Sequence, residues 1–600
     1  MYRKKKLMKW GCIVLLVLFF VVGIIFVETM GQKKKTEQVV TENSVEETVS
    51  DESARYQTDG NLPIHDNSSL YEDEDWDGVT VMYLTVREGN KANGTNHSWT
   101  EVNEHSAYYY EENGIERYSS ECILQVGDEN GPVVGEFGYD SKVPNATVSI
   151  RGQSSTRRSV KNYKISIKDG KGSLDEQTVI NLNKHLADGV RYRNKLCYEL
   201  MQEVPGMMSA RTRFVHLYVK DETEGGSGEF EDYGLYTQVE QLSKRYLKNH
   251  GLDKNGQLYK INFFEFYRYE DVIKLRTDPD YDEVAFEDRL EIKGDTDHSK
   301  LIEMLEDVND YTIPIEEVFS KWFDEENFFS WLSFHILVGN KDTQSRNTFI
   351  YSPLNVDKWY FISWDNDASF MAVENELQGW HDGESWDSGV SNYWGNVLIS
   401  RVLKSEYYRQ LLDEKIEEVK GILTEKLVTE KIAEYREITT KYLFTYPDVV
   451  NSSLTEEEER IVSESIPKEI EKNYNDYKES YNKPMPFYIG VPENRDGTFY
   501  IQWDSAYDFN EESIQYTIEI DDSTDFSDPI ICESGLYYNS FETNMLPAGQ
   551  YYVRLKAKNE SGYEQYAFDY VVGDNGKIYG MKSFWVMEDG TILEDGYEDD

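Results

Sequence analysis

The chain is 600 residues long, more than one hydrophobic core can serve, so several domains are expected. Its 62 Lys and Arg stand against 112 Asp and Glu, a net charge of −50, which argues against nucleic acid and favours a basic partner. Aromatic residues make up 14%, enough for packed cores, and Cys12, Cys122, Cys197 and Cys532 lack the paired spacing of a zinc site.

Residues 1–9 hold Arg3, Lys4, Lys5, Lys6 and Lys9, and 10–27 follow without a charge, close to the minimum for a membrane-spanning helix. No small-residue cleavage pattern succeeds Phe26, so the segment reads as a signal anchor rather than a removed signal peptide. The basic N-terminus then stays in the cytoplasm, and residue 28 onward is expected on the extracytoplasmic side of the cell membrane, in a single-pass arrangement. Residues 28–75, rich in Glu, Thr, Ser, Asp and Gln, read as a disordered acidic stalk.

The first strand is expected at Val79–Val86, with others near Ile123–Val126 and Ala146–Arg151. The loop Gly152–Ser159 can offer backbone amides and the hydroxyls of Ser154 and Ser155 to phosphate oxygens. Alternation then sets Lys161, Tyr163, Ile165 and Ile167 on one strand face and Lys164 on the other. A lysine among core residues must meet an anion or suffer the cost of burial, so Lys161 is the first candidate for pairing with phosphates and Lys164 the second. An amphipathic helix is expected over 190–204, and strands over 214–219 and 233–239 joined by an acidic, glycine-rich loop.

Phe328–Phe370 is the densest stretch. An apolar segment, Phe328–Val338, reads as a buried helix stopped by Gly339. Asp342 and Asn347 follow in DxxxxN spacing, then two short strands over 348–351 and 359–364, the second delivering Asp365 and Asp367 at its end. Such a set suits phosphoryl transfer: Asp342 as base toward an attacking hydroxyl, with Asn347, Asp365 and Asp367 offering hard oxygen ligands to Mg²⁺. Turn chemistry alone also gathers Asn, Asp and Gly.

The NKDTQSRNTFIY and FISWDNDASF segments, together with RGQSSTRRSVKNYKISI (Arg151–Ile167), LNKHLADGVRYRNKLCYEL and YGLYTQVEQLSKRYL, resemble the CotH kinase family, the spore-coat protein H group of atypical protein kinases. The resemblance covers roughly residues 78–410 and implies an α+β fold with a two-lobed atypical protein-kinase-like domain over 76–483. It implies ATP with Mg²⁺ or Mn²⁺, and transfer to Ser or Thr of basic, serine-rich spore-coat or cell-surface proteins. It adds Arg151 to the nucleotide-binding set, supports Lys161, and puts Glu240 near the lobe connection where a nucleotide base binds. It also points to Asp188, Arg193 and Asn194. No GxGxxG, HRD or DFG occurs in literal form, so an ordinary eukaryotic-type kinase is not expected.

Helices are expected over 406–442 and 456–481, closed by Pro484 and Pro486. Residues 484–573 alternate like a fibronectin type III-like sandwich, with Tyr551 suited to a tyrosine corner, and could contact carbohydrate or cell wall. Residues 574–600 read as an acidic tail. Two other classes compete with the kinase. One is a non-catalytic binding or coat-assembly protein of kinase-like shape. The other is a glycosidase stacking sugars on Trp364, Trp380, Trp386 and Trp394, which no spaced acid pair supports.

Overall fold

The computed structural model describes residues 64–72, 78–380, 386–573 and 576–594. The expected anchor at 10–27 and the stalk up to residue 63 lie outside them. Among the described residues no helix is long and apolar enough to cross a membrane.

The first region is a ring of strands: β1 (Val79–Arg87), β2 (Ser119–Asp128), β4 (Ala146–Arg151), β5 (Asn162–Ile167), β6 (Val179–Asn183), β7 (Thr212–Asp221) and β8 (Phe230–Glu240), with the two-residue β3 (Gly131–Pro132) appended to β2. Pairing runs β1-β7-β8-β6-β5-β4-β2, and β2 returns to β1, so the sheet closes on itself. The β1–β7 pair is parallel; the other pairs of the ring are antiparallel. Closure removes the exposed edges that an open sheet must protect. Alternate residues fill the interior, among them Met82, Leu84, Val148, Tyr163, Ile165, Ile180, Leu182 and Leu217. The intervening side chains, Lys164 among them, therefore point outward.

A second core joins a four-stranded antiparallel sheet to helices. The sheet is ordered β10 (Leu290–Ile292), β9 (Gln257–Asn262), β11 (Arg346–Ser352), β12 (Tyr360–Ser363). Around it pack α1 (Arg193–Gln202), α2 (Glu325–Leu337), α3 (Glu406–Ile422), α4 (Glu425–Leu443) and α5 (Glu456–Ser480). Helix α2 is buried from Asn327 to Leu337, its start capped by the Asp324 side chain on the Asn327 amide. Gly339, at φ +65°, takes the left-handed turn that ends it.

Two boundaries differ from expectation. Residues 64–72, assigned above to the stalk, lie on the body: Ile64 is buried, and the Tyr71 hydroxyl meets both Asp66 and the Ser209 carbonyl. The segment read as an acidic tail contributes β22 (Met581–Val586) and β23 (Ile592–Glu594) to the C-terminal sheet, with Met581, Phe584 and Val586 buried. Its acids misled because Glu588 and Asp589 occupy only the turn between these strands, where Asp589 accepts from the Thr591 amide.

The C-terminal region is two sheets over one core. One is β13 (Glu493–Arg495), β14 (Thr498–Gln502) and β17 (Ser540–Asn544); the other runs β16 (Ile531–Leu536), β15 (Gln515–Asp521), β18 (Gly549–Lys558), β22, β23. A short β19 (Glu564–Tyr566) pairs with β18, and β20 (Tyr570–Gly573) with β21 (Gly576–Tyr579) forms a separate hairpin. Tyr551, Val553, Leu555 and Ala557 face inward, and the Tyr551 hydroxyl donates to the Pro547 carbonyl at 3.1 Å. Cys122 and Cys197 are buried free thiols, and Cys532 is an exposed one.

Candidate functional site

Strands β11 and β12 pair with Thr348 opposite Ser363, and the Trp364 amide donates to the Asn347 carbonyl at 3.0 Å, so Asn347 and Asp365 leave the same end of one hairpin. Both take left-handed backbone, φ +54° and +53°, and a bulge interrupts the β9–β11 ladder at Asn347. Asn and Asp tolerate that conformation better than most residues, and its recurrence at one hairpin end marks a place where geometry outranks local comfort. Asp342 stands on the short 3₁₀ turn Lys341–Gln344 that follows α2, fixed by the Asn340 side chain accepting from its amide.

The three carboxylates are not equivalent. Asp342 is paired with Arg346 at 2.6 Å. Asp367 lies 3.2 Å from His185 Nδ1; although burial pushes its carboxyl up, that hydrogen bond and charge hold it below the ordinary value. Asp365 has neither a cation nor a hydrogen-bond donor on its carboxylate among the described residues. Burial first, then the neighbouring Asp367 and Asp342, push it up to about 6 against the pull of His185 and Arg151.

The acidic turn is held from α1 and the loop before it, a connection the sequence reading left open. Asn194 accepts from the Asn366 amide at 3.0 Å and lies 3.3 Å from His185 Nε2, so one asparagine braces both the turn and the histidine that faces Asp367. Buried Arg193 binds Asp188 at 2.6 Å, Glu374 at 2.5 Å and the Phe370 carbonyl at 3.1 Å, fastening the segment after Asp367. His185 stands in the quoted LNKHLADGVRYRNKLCYEL block but was given no role there; only the fold brings it to a partner 182 positions away.

Across from the acids, the outward face of β4 and β5 supplies cations. Arg151 lies 5.8 Å over Trp364, next to Asp365, and bonds Asn183. Burial lowers Arg151 from its ordinary value, an effect that Asp365 opposes. Lys164 shares that barrel face; desolvation, then Lys293, Arg151 and Arg117, hold it below the usual lysine value. Lys161, expected to meet an anion, is buried with its ammonium on the Thr156 carbonyl at 2.5 Å. The period-two reading of the faces was right, but the interior face belongs to a closed barrel and the cleft lies on the other. Lys161 therefore closes its own loop, while Lys164 shares the outward face of the barrel with Arg151.

The loop itself is a 3₁₀ turn, Ser154–Arg157. Ser154 is exposed, and Ser155 accepts from Asn162 at 3.2 Å. Gly152 takes φ +92°, a backbone conformation that residues with a Cβ rarely adopt. Glu240, expected near a nucleotide base, has its side chain in a charge network. Both of its oxygens are engaged, by Arg211 at 2.6 and 3.0 Å and by His250 at 3.1 Å, in a fully buried network that continues to Asp66. Its carboxylate is thus committed to Arg211 and His250. Of the four tryptophans considered for sugars, Trp364, Trp386 and Trp394 are packed inside contacts; only Trp380 is exposed.

Residues 148–485, more than half of the chain, match the family described as CotH kinase protein. The chain belongs to the CotH kinase family. The matched span begins at β4 and runs through α5 to the start of the C-terminal sheets, so it contains the loop, the hairpin and the helices that brace them, while β1–β3 and the C-terminal region lie outside it. No curated protein matches the chain.

Mg²⁺ can be tested against this donor set. Asp365 is a carboxylate without a partner beside two others, and Asn347 emerges from the same hairpin end; hard oxygens carrying unbalanced negative charge suit that ion. Among the described residues no three His, Cys, Asp or Glu side chains are gathered to hold a metal alone.

Proposed function

We propose that this CotH kinase family protein is a Mg²⁺-dependent phosphotransferase moving the ATP γ-phosphoryl group to Ser or Thr hydroxyls of basic coat or cell-surface proteins. The observation that carries the reading is the unpartnered Asp365 carboxylate, set between Asp342 and Asp367 and facing Arg151. In it Asp342 accepts the acceptor hydroxyl proton, and Asn347 and Asp365 hold the metal with Asp367 in support. Lys164 and Arg151 pair with phosphate oxygens, and Ser154 and Ser155 line the approach. Held by Asn347, Asp365 and Asp367, the metal would supply positive charge to offset that of the phosphates. The barrel and the helical region stand as two lobes around this site, and the two-sheet C-terminal region, with its Tyr551 bond, is read as a fibronectin type III-like module. An anchor at 10–27 would hold the chain at the membrane.

One observation favours a non-catalytic binding protein instead. The ion pair with Arg346 occupies an oxygen of Asp342 that a base needs free. Incubating the full chain with labelled ATP, Mg²⁺ or Mn²⁺ and a basic serine-rich peptide, beside a thermal-shift titration, separates the two. Metal-dependent nucleotide binding with transfer supports the kinase. Binding without transfer supports the scaffold, and neither event rejects both. Protease digestion of intact cells tests the topology, since a large domain that survives until lysis is not outside.

A further inference from the structure

The C-terminal β region lies outside the family match, yet it reaches the loop that carries Asp342. The contact is made through residues 386–396. Asp387, almost completely buried, uses both carboxylate oxygens: one binds Lys341, the residue before Asp342, at 2.8 Å, and the other accepts from the Tyr579 hydroxyl of the C-terminal hairpin at 2.9 Å. Three neighbours hold the same loop. Asn392 donates to the Lys341 carbonyl at 3.2 Å, Asn396 to the Gln344 carbonyl at 2.8 Å, and Tyr393 meets the Thr343 hydroxyl at 2.8 Å. All three are buried. The outer side of this segment is covered by the C-terminal region: Trp386 packs edge-on against Phe568 and Tyr579, Trp394 stacks on Tyr507, and Gln565 donates to Ser391 at 3.3 Å.

We infer that the C-terminal β region is a working part of the site, and that Tyr579 and Asp387 are positioning residues for Asp342. A module serving only as a spacer has no need to place a hydroxyl on a buried carboxylate whose other oxygen grips the loop of the base. The 3₁₀ turn Lys341–Gln344 is too short to hold its own shape, so its set point is decided by side chains anchored elsewhere. Four bonds from 387–396 supply that anchorage, and the C-terminal region fixes 387–396 in turn. A charge-assisted hydrogen bond in a buried place is strong enough to bias such a turn.

The turnover part of this inference rests on the phosphotransferase reading; the structural part does not, and the test keeps them apart. Tyr579→Phe removes only the hydroxyl. In the full chain it is expected to speed amide exchange over residues 340–346 about 10-fold, the scale of one hydrogen bond to a charged group, with the global melting temperature little changed. Lys341→Met should do the same, and the double variant should be no faster than either single one. Unchanged exchange over 340–346, or full additivity in the double variant, overturns the coupling. Where the wild type transfers phosphate, Tyr579→Phe should lower kcat about 5- to 10-fold and leave KM for ATP unaltered, since the base acts on the acceptor. An equal fall in nucleotide affinity would assign Tyr579 a merely structural role and overturn the inference. A wild type without transfer but with faster exchange in Tyr579→Phe would reject the phosphotransferase reading and leave the coupling standing.

Discussion

Two clusters of buried charge, around Glu240 and around Asp365, are built on opposite terms. Around Glu240 every charge is answered: Arg211 and His250 bind its oxygens, and Asp66 binds the far side of His250. Burial opposes ionisation throughout, yet the hydrogen bonds and charges hold Glu240 down to about 2 and raise His250 to about 9. Around Asp365 the charges are left over, and its carboxyl is pushed up to about 6. A saturated network has no valence to spend on a ligand, so its work is to fasten residues 64–72 and the end of β8 to the body. An unsaturated one is costly alone and profitable only with a cation, which is the signature of a site rather than a strut.

The largest effect should come from the unsaturated side. Asp342→Asn is expected to reduce transfer about 10² to 10⁴-fold with nucleotide binding retained, the scale of lost general-base catalysis, measured by labelled-phosphate incorporation. Asp365→Asn should instead abolish the metal-dependent thermal shift with ATP. Equal effects of both changes on binding would erase the division of labour between them.

The saturated side should answer in stability. Glu240→Gln leaves Arg211 and His250 facing a neutral amide and is expected to cost about 3–5 kcal/mol in urea unfolding, with KM for ATP unchanged. The pH dependence follows from the directions of shift. His250, raised in the folded state, contributes stability that is fully present below its unfolded value of about 6.5 and lost as pH rises through about 9. Glu240, lowered, contributes above its unfolded value of about 4.3 and loses this as pH falls toward 2. The deficit of Glu240→Gln should therefore be greatest between about pH 4.5 and 6.5 and smaller at pH 9.5. A deficit flat across that range would mean that packing, not charge, is what Glu240 supplies.

Two lysines three residues apart, on opposite faces, sharpen the contrast further. Lys164→Met should raise KM for ATP about 10-fold, as expected for losing one charged bond to phosphate, whereas Lys161→Met should leave it within about twofold and act on stability. The reverse order would restore Lys161 to the cleft. The smallest effect is the least intuitive: in metal-free protein, Asp365→Asn should stabilise the fold by about 1 kcal/mol, because it removes burial cost and like-charge repulsion that His185 and Arg151 offset only in part. A destabilised variant would mean that Asp365 has a structural partner.

Local pattern decided a good deal. The buried helix ahead of Gly339, the hairpin that ends at Asp365 and the inward face of β18 could be found from periodicity, turn residues and spacing, and the family from the resemblance of the quoted segments. What local pattern could not say is which of two strand faces meets the cleft, because that depends on the ring β1-β7-β8-β6-β5-β4-β2 closing over its own interior. It could not say that Glu240 is spoken for, since Arg211 and His250 reach it from separate segments and Asp66 backs His250 from a third. Nor could it reveal His185 beside Asp367 or Tyr579 above the loop of Asp342, which are contacts between residues about two hundred positions apart. Periodicity is a property of neighbours along the chain and fixes the faces of single elements. The charge state and partners of a buried side chain are set by whatever the closed structure brings within a few ångströms, so the chemistry of the site was a tertiary decision.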